Sequence, residues 1–255
     1  MDAEPTIERW AEVIDQAIAA CSNCIVDRVV VLSETSSTQD AALRAFDGEH
    51  GVAVIAHRQT SGRGQRGNRW EDGDGQTLAM SLALPMAGLD ALRLAAVGGL
   101  AALESVIGVC STDARLLVKW PNDVVVRSDS GDRKLAGVLV EVRDGAAVIG
   151  IGINTRTRAW DGLEAVSIED LKGETNRVVL ACALIGQVSR WLVADDQTIR
   201  AAWSKHDAMV GTERSFVVDN ERVLGEVISL DPFTTIRVRT QAGDRELDVR
   251  VTRNG

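Results

Sequence analysis

The sequence predicts an α+β protein: a mixed, mostly antiparallel sheet with helices, followed by a small β-barrel or sandwich. Three observations carry this. Four apolar, β-branched runs between residues 115 and 154 follow one another too closely for helical crossovers. Five segments outside that stretch carry apolar residues at helical spacing. From about residue 212 only short strand patterns remain.

Taken in order, residues 4–20 place Ile7, Trp10, Ile14 and Ile18 on one helical face, with Pro5 near the start, where a helix tolerates it. "CIVDRVVVLS" reads as a strand, and "SSTQDAALRAF" as a helix opened by Ser36, Ser37 and Thr38, one of which suffices as a cap. "VAVIAH" (52–57) and "TLAMSLAL" (77–84) are strands, and 88–109 is a long helix with Leu92, Ala96, Leu100 and Leu103 in register. "RLLVK", "DVVVR", "KLAGVLVEV" and "AAVIGIGI" then form hairpins, turning at Asp129–Asp132 and at Asp144-Gly145. Helices are expected at 176–194 and 197–207. The final strands, "RSFVVD", "RVLGEVISL", "FTTIRVRT" and "RELDVRV", are separated by Asp219-Asn220, Asp231-Pro232 and Ala242-Gly243-Asp244. The expected division is 1–210 for a main unit and 211–255 for a small β-unit, the latter near the lower size limit for an independent core.

Composition narrows the function classes. A chain of 255 residues that is 45% apolar can bury a sizeable core. A net charge of -9 argues against a surface-wide nucleic-acid footprint, which needs clustered positive charge. No uninterrupted apolar stretch approaches the length of a membrane span, and "MDAEPTIERW" is acidic where a signal peptide is basic, so the reading is a cytoplasmic protein. Cys21 and Cys24 form a C-x-x-C, but Cys110 and Cys182 stand alone and complete no zinc site. Of 28 basic residues only Lys119, Lys134, Lys172 and Lys205 are lysines, which marks each as a place to look.

"SGRGQRGN" (61–68) has the Gly62-x-Gly64-x-x-Gly67 spacing of a dinucleotide fingerprint, directly after a strand. That fingerprint needs a helix to begin at its second or third glycine, and "NRWEDGDGQT" has no helical periodicity. What remains is a glycine-rich loop bearing Arg63, Arg66 and Arg69, able to close over a polyanion or simply to stay solvated. "KWPND" (119–123) sets a lysine, a rigid Trp120-Pro121 step and the polar pair Asn122 and Asp123 between two β-branched strands. "RKLAG" (133–137) starts a strand with Lys134 followed by small residues, and "GIGIN" (150–154) alternates two glycines within a strand, as a close approach to the backbone requires.

In this order, with the hydroxyl-rich helix start before them and a small β-unit after them, these segments resemble the biotin protein ligase family over nearly the whole chain. The resemblance is to the type without an N-terminal DNA-binding domain. It implies a catalytic domain like that of biotin/lipoate ligases and class II aminoacyl-tRNA synthetases, followed by an SH3-like barrel. It also implies a reaction. Biotin and ATP give biotinyl-5'-AMP and pyrophosphate, and the biotinyl group passes to a lysine of a biotin carboxyl carrier protein or carboxylase carrier domain.

By match to the family motifs, Ser37, Thr38, Gln39 and Gln59 belong to the biotin pocket, where hydroxyls and amides suit a ureido ring. Gly62, Arg63, Gly64 and Gln65 form the closing loop, with Arg63 bridging carboxylate and phosphate through its planar fork. Lys134 contacts the carboxylate and the α-phosphate; Gly137 and Gly152 leave room for ligand. Lys119 and Asn122 lie on the ATP side with Arg66 and Asn154, Trp70 covers the adenine, and Asp123 orients or deprotonates the carrier lysine. Mg²⁺ is implied with ATP, held through substrate phosphates because no carboxylate cluster stands ready for it. One departure is Gln65, where the family often carries arginine, which shifts retention of the adenylate toward Arg63 and Arg66.

Two other functions compete. A biotin-responsive repressor needs a helix-turn-helix, and only one helix and one strand precede Ser36. A lipoate–protein ligase shares the chemistry, but Ser37, Thr38 and Gln59 suit a ureido ring better than a dithiolane. The sequence is silent on oligomeric state and on which carrier is used.

Overall fold

A computed structural model describes residues 4–86, 88–110, 114–160, 164–172 and 175–254, with the side chains of Arg66 and Lys172 outside that description. Its centre is a seven-stranded sheet in the order β1-β2-β5-β9-β8-β7-β6. The strands are β1 (Arg28–Thr35), β2 (Val52–Gln59), β5 (Thr77–Pro85), β6 (Arg115–Lys119), β7 (Asp123–Ser128), β8 (Gly131–Arg143) and β9 (Ala146–Asn154). Two short strands, β3 (Gly62–Arg63) and β4 (Arg69–Trp70), pair with each other. Only β1 and β2 run parallel, because α2 (Thr38–Ala45) crosses over between them. The other pairs are antiparallel, so the expected α+β architecture with a mostly antiparallel sheet is the one observed.

Period-two alternation divides the sheet's two faces. Leu78, Met80 and Leu82 of β5 and Ile149, Ile151 and Ile153 of β9 point into a core shared with α1 (Trp10–Ala20), α3 (Ala91–Val109) and α5 (Arg177–Leu192). The interleaved positions face the other way, where α2 covers Val52, Val54, Ala83 and Val148. Asp90 caps α3 by accepting from the backbone N–H groups of Leu92 and Arg93, and Asn176 and Asp195 cap α5 and α6 (Asp196–Lys205) in the same manner. α3 is long and apolar enough to cross a membrane by length and composition alone, but most of its residues are buried within the fold.

The C-terminal strands are β10 (Glu213–Val218), β11 (Glu221–Leu230), β12 (Thr235–Thr240), β13 (Gly243–Asp248) and β14 (Thr252–Asn254), paired in the order β13-β12-β11-β10-β14. Phe216, Val227, Ile236 and Val238 of this second sheet join the same contiguous apolar cluster as the main core. Polar ties reinforce the contact: Arg214 donates to Asp132 at 2.8 Å, and Asn254 Nδ2 donates to the Trp120 carbonyl at 2.7 Å.

Several elements differ from the sequence reading. The strand expected from Cys24 begins at Arg28, after a turn closed by the Cys24 N–H on the Cys21 carbonyl. The glycine-rich loop, expected to be irregular, forms the β3–β4 ladder around a single 3-10 turn. A short helix, α4 (Ile168–Lys172), follows β9, and "RELDVRV" breaks after Asp248, whose side chain accepts the Arg250 N–H and closes a turn. Finally, no hydroxyl caps α2: its first N–H, from Thr38, is taken by the Gln59 side chain at 2.8 Å.

Candidate active site

The face of the sheet opposite α1, α3 and α5, beyond the part that α2 covers, carries many small residues. Across five neighbouring strands, Ala79, Gly152, Gly137, Asp123 and Lys119 are successive register partners and form one row. A second row runs through Val54, Ser81, Gly150 and Leu139. The glycines permit close approach. A Cβ at position 152 would lie 2.4 Å from the Trp70 indole, and one at 150 would lie 3.0 Å from the Gln39 amide carbon.

Over the second row lies a narrow cavity of about 50 Å³ whose walls include Thr38, Gln39, Gln59, Ser81 and Leu139. Its polar groups form a directed chain. The Ser81 hydroxyl donates to Thr38 Oγ1 at 2.8 Å, and Thr38 donates both its hydroxyl (3.0 Å) and its backbone N–H (2.8 Å) to Gln59 Oε1. Gln39 donates to the Leu139 carbonyl at 3.1 Å, leaving its buried Oε1 without a partner.

A wider cleft of about 570 Å³ adjoins it, with Asn122, Asp123, Asn154, Arg158 and Trp160 among its walls. Lys134, Trp70, Gln65, Gly64 and Asn122 line both spaces and mark the junction. Lys134 Nζ sits there, 2.6 Å from Asp123 Oδ1 and 5.8 Å from the centre of the Trp70 ring. Asn154 Nδ2 donates to the carbonyls of Lys134 and Val166, both at 3.2 Å, so this asparagine holds the lysine's backbone in place as well as lining the cleft. Asn122 Nδ2 is likewise committed to the Val138 carbonyl at 2.6 Å. Among the described residues no group of three or more His, Cys, Asp or Glu side chains could hold a metal ion.

The structure brings together most of the residues singled out by sequence, and it rearranges some. Arg63 reaches the narrow cavity, but its guanidinium is engaged by two carboxylates, Asp40 (2.6 and 3.0 Å) and Glu141 (2.8 Å), and Arg143 joins Asp40 as well. Bonding to Arg63 first, and to Arg143 second, holds the Asp40 carboxyl below its usual range, and Asp40 in turn raises the already high value of Arg63. Ser37 and Gly62 line an outer depression beside Asp40 rather than the narrow cavity. Trp70 lies at the junction of the two spaces, not on the far side alone. Lys119 lines neither space and reaches the site only through its register with Asp123. The Arg66 side chain lies outside the described residues.

Sequence reasoning passed over Ser81, Asp72, Arg158 and Trp160. Ser81 is a hydroxyl set between apolar neighbours in the middle of β5 and was visible as such. Arg158 stacks 4.3 Å over the Trp160 ring and donates to the Glu71 carbonyl at 2.6 Å, a pairing that no local motif announces. Asp72 is only 3% exposed in a segment that reads as a polar loop.

Residues 30–156 match the biotin/lipoate A/B protein ligase family. The chain is 32% identical over 199 residues to a biotin–(acetyl-CoA-carboxylase) ligase of Paracoccus denitrificans, covering 71% of this chain and 81% of that one. It is 34% identical over 199 residues to the ligase of the same name from Mycobacterium tuberculosis, covering 72% and 71%. In fold it is similar to a biotin protein ligase from Aquifex aeolicus in complex with biotin and ATP, with a TM-score of 0.77 over 90% of this chain and 100% of that one at 23% identity. The matched segment contains both glycine rows, the loop over them and the lysine at their junction, and the chain belongs to the biotin/lipoate A/B protein ligase family.

Proposed function

We propose that this chain is an ATP-dependent ligase that activates biotin as biotinyl-5'-AMP and transfers the biotinyl group to a lysine of a carboxylase carrier domain. The observation that carries this reading is Lys134, whose ammonium stands where the narrow cavity meets the wider cleft. Biotin's ring occupies the cavity of Thr38, Gln39 and Gln59, its carboxylate reaches the junction, and ATP lies in the cleft.

The carboxylate oxygen attacks the α-phosphorus and pyrophosphate leaves. No enzyme nucleophile takes part, so the protein's contribution is alignment and charge neutralisation. Lys134 neutralises the two anions as they approach, and Asp123 and Asn154 fix its head and its backbone. Arg63 acts from the loop once it exchanges Glu141 for ligand oxygens; Gly62, Gly64 and Gln65 carry the loop over the junction, with Ser37 and Arg66 at its flanks. Trp70 covers the adenylate from Gly152 and Gly137, while Asn122 and Lys119 belong to the nucleotide side. ATP enters as its Mg²⁺ complex, the metal carried on its phosphates. In the transfer step Asp123 receives the carrier lysine, which loses a proton and attacks the biotinyl carbonyl of the mixed anhydride, forming the amide bond as AMP leaves.

In this reading residues 1–210 form the catalytic unit, of the class II aminoacyl-tRNA synthetase-like type, and residues 211–255 form an SH3-like barrel. Its last strand returns beside its first, in support of a barrel-like path. The protein acts in the cytoplasm on biotin, ATP and a carrier domain. A lipoate ligase is disfavoured by the polar side chains of Thr38, Gln39 and Gln59 in the narrow cavity, among them the unpartnered Gln39 Oε1, which an apolar dithiolane would leave unmatched. ATP–pyrophosphate exchange measured in parallel with biotin and with lipoate decides the matter: exchange with biotin is expected, and exchange with lipoate alone would refute the proposal.

A further inference from the structure

We infer that Asp72 is a positioning residue for Gln59, holding the amide that faces the narrow cavity; the inference rests on the biotin reading of that cavity. β2 and β5 pair from Val52 with Ala83 to Ala56 with Ala79 and then part, and the loop of residues 60–71 leaves between them. Asp72 stands at that parting. It is 3% exposed, and both oxygens are used: Oδ2 accepts the Gln59 backbone N–H at 2.6 Å, and Oδ1 accepts the Thr77 hydroxyl at 2.5 Å. One side chain thus ties the last residue of β2 to the first of β5 where the ladder no longer does so.

The consequence passes through Gln59. The Thr38 backbone N–H can only donate, so the atom it meets is the amide oxygen, and the Gln59 amide is fixed with Oε1 toward α2. Nε2 is the remaining end. It is packed against Gly62, where a Cβ would lie 2.6 Å from it. Gln59 lines the narrow cavity together with Thr38 and Ser81, so its amide, joined to them by hydrogen bonds, is part of the polar wall a ligand meets there. A shift of the Gln59 backbone would move this amide, and the bond from its N–H to Asp72 opposes the shift. Burying a carboxylate among neutral donors is costly unless its hydrogen bonds are needed.

The test is steady-state and pyrophosphate-exchange kinetics of the full chain with biotin and ATP varied separately. Asp72→Ala strands a buried N–H and should raise the KM for biotin about tenfold or more, with the KM for ATP within about twofold of the parent. Asp72→Asn should restore the biotin KM to within about threefold, because its oxygen accepts from Gln59 while its amide donates to a reversed Thr77 hydroxyl. In a Gln59→Ala background, Asp72→Ala should add less than about twofold, since it acts through Gln59. An unchanged biotin KM in Asp72→Ala, equal rises for biotin and ATP, or fully multiplicative effects with Gln59→Ala would each overturn the assignment. Should Asp72→Ala fail to fold, Thr77→Val removes one of the two bonds, and a biotin KM identical to the parent's would count against the assignment in the same way. Absence of biotin-dependent exchange in the parent protein would instead refute the biotin reading itself.

Discussion

Lys134 and Asp123 form an ion pair at 2.6 Å, on neighbouring strands, at the junction of the two spaces that line the sheet's open face. The pair is partly exposed, with 38% and 25% of the two side chains accessible, so its contribution to stability is of order 0–1 kcal/mol. Its importance is chemical. Lys134→Ala should lower biotinyl-adenylate formation by about 100-fold or more while moving the melting temperature by only a few degrees. Parallel exchange assays and thermal melts check this, and full activity in the variant would exclude the role.

The Arg63 network behaves differently. Asp40 has its carboxyl lowered by Arg63, so the network's stabilisation is fully present above the ordinary aspartate range of about 3.9 and is lost as pH falls through the lower native value. Asp40→Asn should therefore be less stable than the parent at pH 6 to 7, with the difference shrinking toward zero in increasingly acid buffer. Arg63→Ala should also lose stability, because it leaves Asp40 and Glu141 without their shared partner. A difference in melting temperature that stays constant from neutral to acid pH would contradict this.

Gly152→Ala probes the floor of the site. The added Cβ would stand 2.4 Å from the Trp70 indole, which has no flexible end to yield. Trp70 must lift, and adenylate formation should drop about tenfold or more with modest change in the melting temperature. Gly145→Ala serves as a comparison at a hairpin turn away from the site, where a Cβ meets nothing within 4 Å but the φ of +77° is strained. It should cost stability and not activity.

Gln65 lines both spaces without a charge of its own. Gln65→Arg adds a guanidinium at the junction and should slow release of the adenylate by about tenfold, through a charge-assisted bond to phosphate. The half-life of the gel-filtered adenylate complex measures it.

Much of the fold was legible because its signals are local. Alternation in β5 and β9 separates the Leu, Met and Ile core positions from the Ala, Ser and Gly floor, and the caps at Asp90 and Asn176 are set by residues a few positions away. The site was legible where glycines and lysines are rare or strangely placed. Asp72, Glu141 and Trp160 were not, because each gains its meaning from a partner that only the fold supplies: Gln59 for Asp72, Arg63 for Glu141, Arg158 for Trp160. Arg63 shows the same limit in reverse. Its place in a glycine-rich loop suggested an anion, and the structure pairs it with two acidic side chains distant in sequence.

The row from Ala79 to Lys119 crosses the strands rather than following any one of them. Three steps between neighbouring strands, from Ala79 to Asp123 at about 4.8 Å each, give the part of this row that lines the two spaces a length of roughly 14 Å. Length along this direction is counted in strands, and each strand contributes one tooth to the gauge. Sliding β9 by a single residue would put Ile151 or Ile153 where Gly152 now lies and close the floor at its centre. The protein's tolerance for insertions should therefore differ sharply between its hairpin tips, which leave the count unchanged, and the ladder between β8 and β9, which sets it.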